Sequence, residues 1–575
     1  MVALGATLAG ACNRELAAAE PETSWLDEVR AADKKPVTLA SNDGLQKPML
    51  TAAGVAVAAT ETQQRTGRRP NVVVIFSDDI GWGDLGSYGG GDTRGAPTPN
   101  LDRLAAEGVR FTNWYGQASC TAGRASFMTG RIPIRSGLSE VIGPGDPNFL
   151  HPQNPTNAEF YKRNGYTTYM SGKWHLGDKP EAFPIAHGFD EMKHFLAYYA
   201  GVYAYTDPKL HPDFPYDNAA FMKKYRQIVN DGEWEGVAGQ TPKRVVEHFG
   251  YADLATIDDQ QAASATSYIK SHAKQAKPFF MYVAFMRCHN PNNPSPNWKG
   301  KSRESTYLDG LMELDDNTGK VVNAIREAGI ERDTIVVWTS DNGPWVDAFP
   351  DAGYTPFRAM KGTAYEGAWR VPGLIWAPGR IKPGAVLSGM MSHMDIWPTT
   401  AALAGIAPPP HGEWKGNDGK AIYFDGVDNS AYVTGRAEES ARETWTYITG
   451  VHFAGVRYRQ WKYLWTAKDT WLGPSLPMDF PNVFNLKQDP GEMYDMAFNG
   501  AAPATAGVLK GSPGNFAGQD NGWTMVFANQ LVEEFTASVK KYPNIPTIPA
   551  SASLGSDLPA FMPPNLVAPP PRARE

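Results

Sequence analysis

Residues 70–79 read PNVVVIFSDD. From Asn71 to Phe76 the run is continuously apolar and largely β-branched, with no polar alternation, and Pro70 and Ser77 bound it. That pattern predicts a strand buried on both faces of a parallel sheet rather than one with a wet face. The strand ends in Asp78 and Asp79, so two carboxylates are delivered at its carboxyl end. Four other segments do the same with different polar groups: VRFTNWYG (109–116) leads to Cys120 and Arg124, YTTYM (166–170) to Lys173 and His175, PFFMYVAFM (278–286) to Arg287 and His289, and TIVVWTS (334–340) to Asp341 and Asn342. Between them, NLDRLAAEG (100–108) and YLDGLMELDDNTGKVVNAIREAG (307–329) have the apolar spacing of amphipathic helices. In open α/β sheets ligands sit beyond the carboxyl ends of the strands, so these five strand ends predict one shared crevice.

The rest of the chain frames that crevice. With 42% hydrophobic residues and 17 Trp, 24 Tyr and 25 Phe in 575 residues, a large core is affordable and disorder is excluded. A formal net charge of -7, without a long basic run, argues against a nucleic-acid partner. Around 440 the pattern changes to alternating, aromatic-rich strands (TWTYITGVHFAGVRYRQWKYLWTA, PNVFNLKQDPGEMYDM), which predict a smaller antiparallel domain. The expected division is 1–69 leader, 70–440 catalytic domain, 441–542 smaller domain and 543–575 Pro-rich tail. In the leader, VALGATLAGAC ends at Cys12 like a loose lipoprotein signal without its basic start, and MLTAAGVAVAAT (49–60) is a second export candidate. A periplasmic or exported location is therefore expected, with a cytoplasmic one as the alternative. No stretch reaches the roughly 18 to 20 apolar residues of a membrane span. The three cysteines, Cys12, Cys120 and Cys288, are too few for a disulfide framework and form no CxxC pair.

Asp78, Asp79, Asp341 and Asn342 are hard oxygen donors of the kind Ca²⁺ or Mg²⁺ takes, and gathering them without a cation would be costly. Arg124, Lys173, His175, His289 and Lys361 are cations or donors suited to a tetrahedral oxyanion. Taken singly, each has a plainer reading: an Asp pair as a helix cap, Lys173 and His175 as a solvated loop, His289 as a satisfied core histidine. Their joint placement at strand ends favours a metal beside a sulfate or phosphate group.

The stretch Cys120-Thr121-Ala122-Gly123-Arg124, with ASFMTGR after it, resembles the type I sulfatase signature. NVVVIFSDDIGWGDLGSYGG, TPNLDRLAAEGVRFTNWY, SGKWHLGD with HGFDE, SDNGP and KGTAYEGAWRVPGLIWAPGRIKPG evoke the same family over about 70 to 500. The resemblance implies the alkaline-phosphatase-like fold, an α/β domain on a large mixed sheet with a smaller C-terminal antiparallel-sheet α+β domain. It implies a sulfuric ester hydrolase of arylsulfatase type, in which a maturase oxidises the signature cysteine to formylglycine (3-oxoalanine). The hydrated aldehyde is then the nucleophile, and the covalent step is split into two easier ones. Carried over by position, Asp78, Asp79, Asp341, Asn342 and the modified Cys120 would bind the divalent ion, usually Ca²⁺, with Mg²⁺ as the other candidate. Arg124 and Lys173 would hold and acidify the diol, His175 would be the base for sulfate elimination, and His289 and Lys361 would bind sulfate oxygens and assist the leaving alcohol.

Ala122 stands where Pro is commoner, which leaves the maturase open between oxygen-dependent and radical types. Around His289, RCHNPNNP departs from the family's usual form. Cys288 reads as a small buried apolar residue, Trp345 as a packing residue or pocket wall, and His393 as part of a helix start capped by Ser392 or Asp395. Two other functions fit the pattern: a phosphonate or phosphate monoester hydrolase, and a catalytically dead oxyanion-binding protein. Aryl, carbohydrate and alkyl sulfates all suit the crevice, with specificity expected in loops such as 198–250. The oligomeric state is left open.

Overall fold

The computed structural model describes residues 68–198, 212–228, 232–247, 249–471, 473–496 and 524–548. The leader with Cys12, part of the loop region 198–250 and the tail beyond 548 lie outside the described residues.

The principal sheet contains β1 (Asn71–Ser77), β2 (Val109–Tyr115), β3 (Thr167–Lys173), β4 (Glu191–Leu196), β5 (Glu233–Val237), β6 (Lys243–Val246), β7 (Phe279–Ala284), β8 (Thr334–Ser340), β9 (Arg370–Trp376), β10 (Ala385–Leu387) and β11 (Met391–Ser392). Its order is β10-β2-β9-β8-β1-β7-β3-β4-β5-β6, with β11 beside β2. β1 lies at the centre, parallel to β7 on one side and β8 on the other. Its side chains alternate between two cores: Val72, Val74 and Phe76 face one, and Val73 and Ile75 the other. This explains the unbroken apolar run, because neither face meets water.

Helices cover both faces. α1 (Pro99–Glu107), α3 (Tyr251–His272) and α4 (Thr306–Glu327) contribute to the Val73 side, while α2 (Cys120–Thr129) and α5 (His393–Leu403) contribute to the Val72 side. Both expected amphipathic helices form, as α1 and α4. α5 begins at His393, with Ser392 and Asp395 making a capping box.

Beyond the five expected strands, β4, β5, β6, β9, β10 and β11 were not anticipated. β9 lies antiparallel between β2 and β8, so the sheet is mixed there. β9 contains Pro372, which cannot donate to a ladder. The β2–β9 register shifts between Phe111 and Trp114, which places Pro372 in the irregularity. Gly373 is needed beside it, because a Cβ there would lie 2.3 Å from the Trp114 ring. β2 still runs in the same sense as β8, so all five expected strand ends point one way.

A hairpin of β12 (Gly412–Lys415) and β13 (Ala421–Phe424) precedes a four-stranded antiparallel sheet of β14 (Thr444–Thr449), β15 (His452–Tyr458), β16 (Trp461–Ala467) and β17 (Leu476–Asn485). α6 (Met525–Lys541) packs on it through Ala528. This smaller sheet shares a core with the large domain, where Trp445, Tyr447 and Leu464 meet Tyr115, Trp369 and Met390. From Tyr542 to Ile548 the chain is irregular, yet Ile548 exchanges two hydrogen bonds with the Asn148 side chain at 2.7 and 2.8 Å.

Candidate active site

Cys120 opens α2 at the carboxyl edge of the large sheet. The helix can approach that edge because residue 123 is glycine: a Cβ at Gly123 would lie 2.2 Å from the Asp341 carbonyl. The thiol is buried, with Sγ 3.4 Å from Asp78 Oδ1 and 3.9 Å from Asp79 Oδ1. Burial and the neighbouring Asp341 and Asp78 carboxylates push this thiol well above its usual range. An unmodified Cys120 is therefore a poor thiolate nucleophile.

Polar side chains following every expected strand surround it, most of them charged. Arg124 donates from Nε to Asp341 Oδ2 at 3.0 Å, its Nη2 is 2.8 Å from the same oxygen, and Nη1 reaches the Lys173 carbonyl and the Tyr282 hydroxyl, both at 3.1 Å. Lys173 Nζ pairs with Asp78 Oδ2. Lys361 Nζ spans both oxygens of Asp79, at 2.7 and 2.9 Å. Burial alone would raise the Asp78 carboxyl, but Lys173, His289, Arg124 and Lys361 together hold it far below the usual range. Asp341 goes the other way: burial and the nearby Asp78 raise it to about 6. Burial works against the Lys361 charge, but Asp79 and the neighbouring Cys120, Asp78 and Asp341 together outweigh it and keep the ammonium protonated.

The two histidines differ in what they leave available. A backbone carbonyl only accepts, so the 2.9 Å contact of His175 Nε2 with Ile142 O puts the proton on Nε2. Nδ1 of His175 then carries a lone pair and is buried with no hydrogen-bond partner among the described residues. Burial and Lys173 keep this imidazole neutral, well below its usual pKa. His289 Nδ1 meets the Asn290 carbonyl at 2.6 Å, while Nε2 lies 3.6 Å from Asp79 Oδ2. Burial and Lys361 lower His289 to about 4.

The donor set fits a divalent cation. Ligand atoms of Asp78, Asp79, Cys120 and His289 all lie within 4.8 Å of one another. Asn342 uses its Nδ2 on Asp79 Oδ1 at 2.6 Å and on the Gly343 carbonyl at 2.8 Å, which leaves its Oδ1 buried and unpartnered. A buried amide oxygen with no donor is what a hard cation would satisfy. Asp341 lies alongside, with Oδ2 on Arg124 and Oδ1 accepting from the Asn342 N–H at 2.9 Å.

All ten residues read from the sequence are thus at one strand-end edge. Arg287 is not in the charged ring: it turns away to Glu313, at 3.0 Å. Sequence reasoning passed over Tyr282 and Trp471. Tyr282 was legible as the one hydroxyl in an apolar strand, whereas Trp471, 4.7 Å from Lys361 Nζ, belongs to the smaller domain and no local pattern ties it to the site. Trp345 packs beside the site, its ring 5.7 Å from that of His289 and 5.0 Å from that of Trp471. Cys288 is buried, as a small apolar residue would be.

The family model for sulfatases matches residues 70–406. This chain belongs to the sulfatase family. It is 32% identical to N-acetylgalactosamine-6-sulfatase of Rattus norvegicus over 78% of this chain and 84% of that protein. It is 34% identical to arylsulfatase A of Homo sapiens, over 80% and 87% respectively. Among solved structures, the PsFucS1 sulfatase from Pseudoalteromonas sp. superposes with a TM-score of 0.75 at 32% identity, covering 87% of this chain and 96% of that one. The fold is accordingly that of the alkaline phosphatase superfamily, and the protein is an enzyme that hydrolyses sulfate esters, in preference to the phosphate reading. Membership implies a formylglycine and a divalent metal. No helix among the described residues is long and apolar enough to cross a membrane.

Proposed function

We propose that this sulfatase cleaves sulfate monoesters at Cys120, with Asp78, Asp79, Asp341 and Asn342 holding Ca²⁺, or Mg²⁺ in its place. The observation that carries the reading is the meeting of the Cys120 side chain with two carboxylates inside a ring of three buried cations. When present, the metal polarises sulfate oxygens and the oxidised Cys120 supplies a hydroxyl nucleophile.

The chain's own residues do the rest. Arg124 is aimed by Asp341 and Tyr282, and with Lys173 it stabilises negative charge developing beside Cys120. Lys361, always protonated, binds a sulfate oxygen and supports the departing alkoxide. His289 shares that side, and an approaching sulfate anion favours its protonated form. His175 Nδ1 is the atom that accepts a proton in the step releasing sulfate, since Nε2 is occupied. Burial of these groups removes water that would otherwise screen them.

The test compares an aryl sulfate with an aryl phosphonate on one preparation, before and after chelation. Sulfate turnover that is lost with the metal and regained with Ca²⁺ is the expected result. A preparation that cleaves only the phosphonate, or that keeps full rate when stripped of metal, would refute the reading. A maturase acting on Cys120 and export through the segment before Pro70 belong to the same proposal. N-terminal sequencing of the mature protein checks the export.

A further inference from the structure

The site occupies the carboxyl-end edge of the large sheet, and the amino-end edge carries charge of another kind. Arg69, Arg163, Lys274, Lys277, Arg332 and Lys382 are exposed there, and among the described residues none of them is in an ion pair. Hydrogen bonds gather their five separate segments around the start of β1. Arg68 donates from Nη1 to the Ala273 carbonyl and from Nη2 to the Lys277 carbonyl, both at 3.1 Å, and Arg69 Nη1 donates to the Asn164 carbonyl at 3.0 Å. Asn71 Nδ2 donates to the Asp333 carbonyl at 3.2 Å, and Arg380 Nη1 donates to the Arg332 carbonyl. Lys382 precedes β10, where the Gly384 N–H donates to the Gly108 carbonyl at 2.8 Å, at the start of β2.

Opposing charge at this edge is sparse. Lys162 with Asp190, and Lys270 with Glu327, pair and cancel. Glu191, Glu331 and Asp333 remain, and Asp333 acts on the Arg380 guanidinium. The six unpaired cations therefore make this face positive on a chain whose formal net charge is -7. Their mutual repulsion is relieved where an extended anionic surface neutralises them together.

The place where the chain enters says which surface that is. The 67 residues before Arg68 join the body on this face, and they include the short apolar stretches that end at Cys12 and Thr60. A bilayer met by either stretch is brought against this edge, and each Lys or Arg near anionic headgroups is drawn to them. We propose that the amino-end face of the sheet docks on the anionic headgroups of a phospholipid bilayer and turns the catalytic crevice outward. β1 has seven residues at about 3.3 Å each, which sets the two edges roughly 20 Å apart, so the docked face leaves the crevice clear of the headgroups.

The test sediments the full chain with vesicles of phosphatidylcholine alone, and of phosphatidylcholine with about one third phosphatidylglycerol. The chain should partition to the anionic vesicles and not to the neutral ones. It should be released between about 0.1 and 1 M salt, as the screening length falls from roughly 10 to 3 Å. Lys274→Glu combined with Lys277→Glu, and separately Arg332→Glu combined with Lys382→Glu, should each weaken partitioning at least about 30-fold, since one basic residue contributes roughly a factor of five. The Tm of both double variants should stay at the wild-type value, because all four side chains are exposed. No partitioning to the anionic vesicles, equal partitioning to both kinds, or undiminished partitioning of both double variants would overturn the inference. So would a chain that ignores the vesicles and is retained by soluble dextran sulfate, which would make the partner an anionic polymer. Turnover of 4-nitrophenyl sulfate by vesicle-bound enzyme should match that of free enzyme, and a loss of about tenfold or more on binding would overturn the outward orientation. Sedimentation reads docking without any turnover, so failure of the sulfate-ester reading would be seen separately.

Discussion

The charge around Cys120 and the charge around Glu366 are both fully buried, yet the two clusters are built to different ends. Around Glu366 every partner closes inward: Tyr447 donates to Oε1 at 2.7 Å, Lys462 Nζ lies 3.0 Å from the same oxygen, and Tyr115 and Arg457 approach Oε2. Glu492 then pairs with Lys462 at 2.7 Å and accepts the Glu366 N–H at 2.6 Å. The cluster joins the end of β2 to β15 and β16, and so it ties the smaller sheet to the large one. Around Cys120 the same kinds of groups leave atoms unspent among the described residues, the Asn342 Oδ1 and the His175 Nδ1. Buried charge whose partners are complete is structural, whereas buried charge with aimed and unsatisfied atoms awaits a ligand.

Four experiments would break or sharpen that contrast, starting with the largest effect. Cys120→Ala should abolish turnover, by on the order of 10⁵- to 10⁶-fold if this residue carries the nucleophile, while Tm changes little. Mass spectrometry of the wild-type peptide spanning 111–124 should find the aldehyde or its hydrate, and a fully active enzyme with only an intact thiol would be decisive against the assignment.

Next come the basic groups. Lys361→Ala should slow alcohol release by roughly 10²- to 10³-fold, the usual scale for a lost oxyanion donor. His175→Ala should instead release up to one equivalent of alcohol per site and then stall before sulfate appears. Rapid-quench measurements separate the two, and a His175→Ala enzyme with no burst would remove the histidine from the proton-accepting role.

The Glu366 cluster should respond in the opposite currency. Lys462→Met strips the shared cation from two carboxylates and should cost roughly 3–5 kcal/mol of stability, read by denaturant unfolding. Its kcat per folded molecule should stay near that of the wild type. A large drop in kcat without loss of stability would merge the two clusters into one functional unit.

The smallest effect is on pH dependence. Burial, partly offset by Lys462, raises Glu492 from 4.5 to about 7. The folded state then holds more protons than the unfolded one between those values, so this stability is full below 4.5 and lost as the pH rises through 7. Glu492→Gln should flatten the decline in Tm over that window. Glu366, held low despite its burial by Lys462 and Arg457, acts with the opposite sign below 4.5, where stability is lost as the pH falls. An unchanged slope above pH 4.5 in Glu492→Gln would show that another group sets it.

By itself the sequence determined the central strand, the amphipathic helices α1 and α4 and the start of α5, the smaller antiparallel sheet and the ten residues at the site, because each signal is local. An apolar run of one strand's length, a helical spacing or a carboxylate at a strand end is readable within about ten residues. The family motifs sharpened the roles, since the same local stretches carry them. What only the tertiary structure decided depends on residues far apart in the chain. β9 accommodates Pro372 through an irregularity in its pairing with β2, more than 250 residues earlier in the chain. Arg287 matched Arg124 in position at a strand end, but a partner on α4, Glu313, drew it away from the site. Which nitrogen of His175 is available followed from the carbonyl of Ile142, 33 residues earlier. Trp471 reached Lys361 only because the small sheet docks on the large one, and a packing interface between domains leaves no period in either segment's sequence.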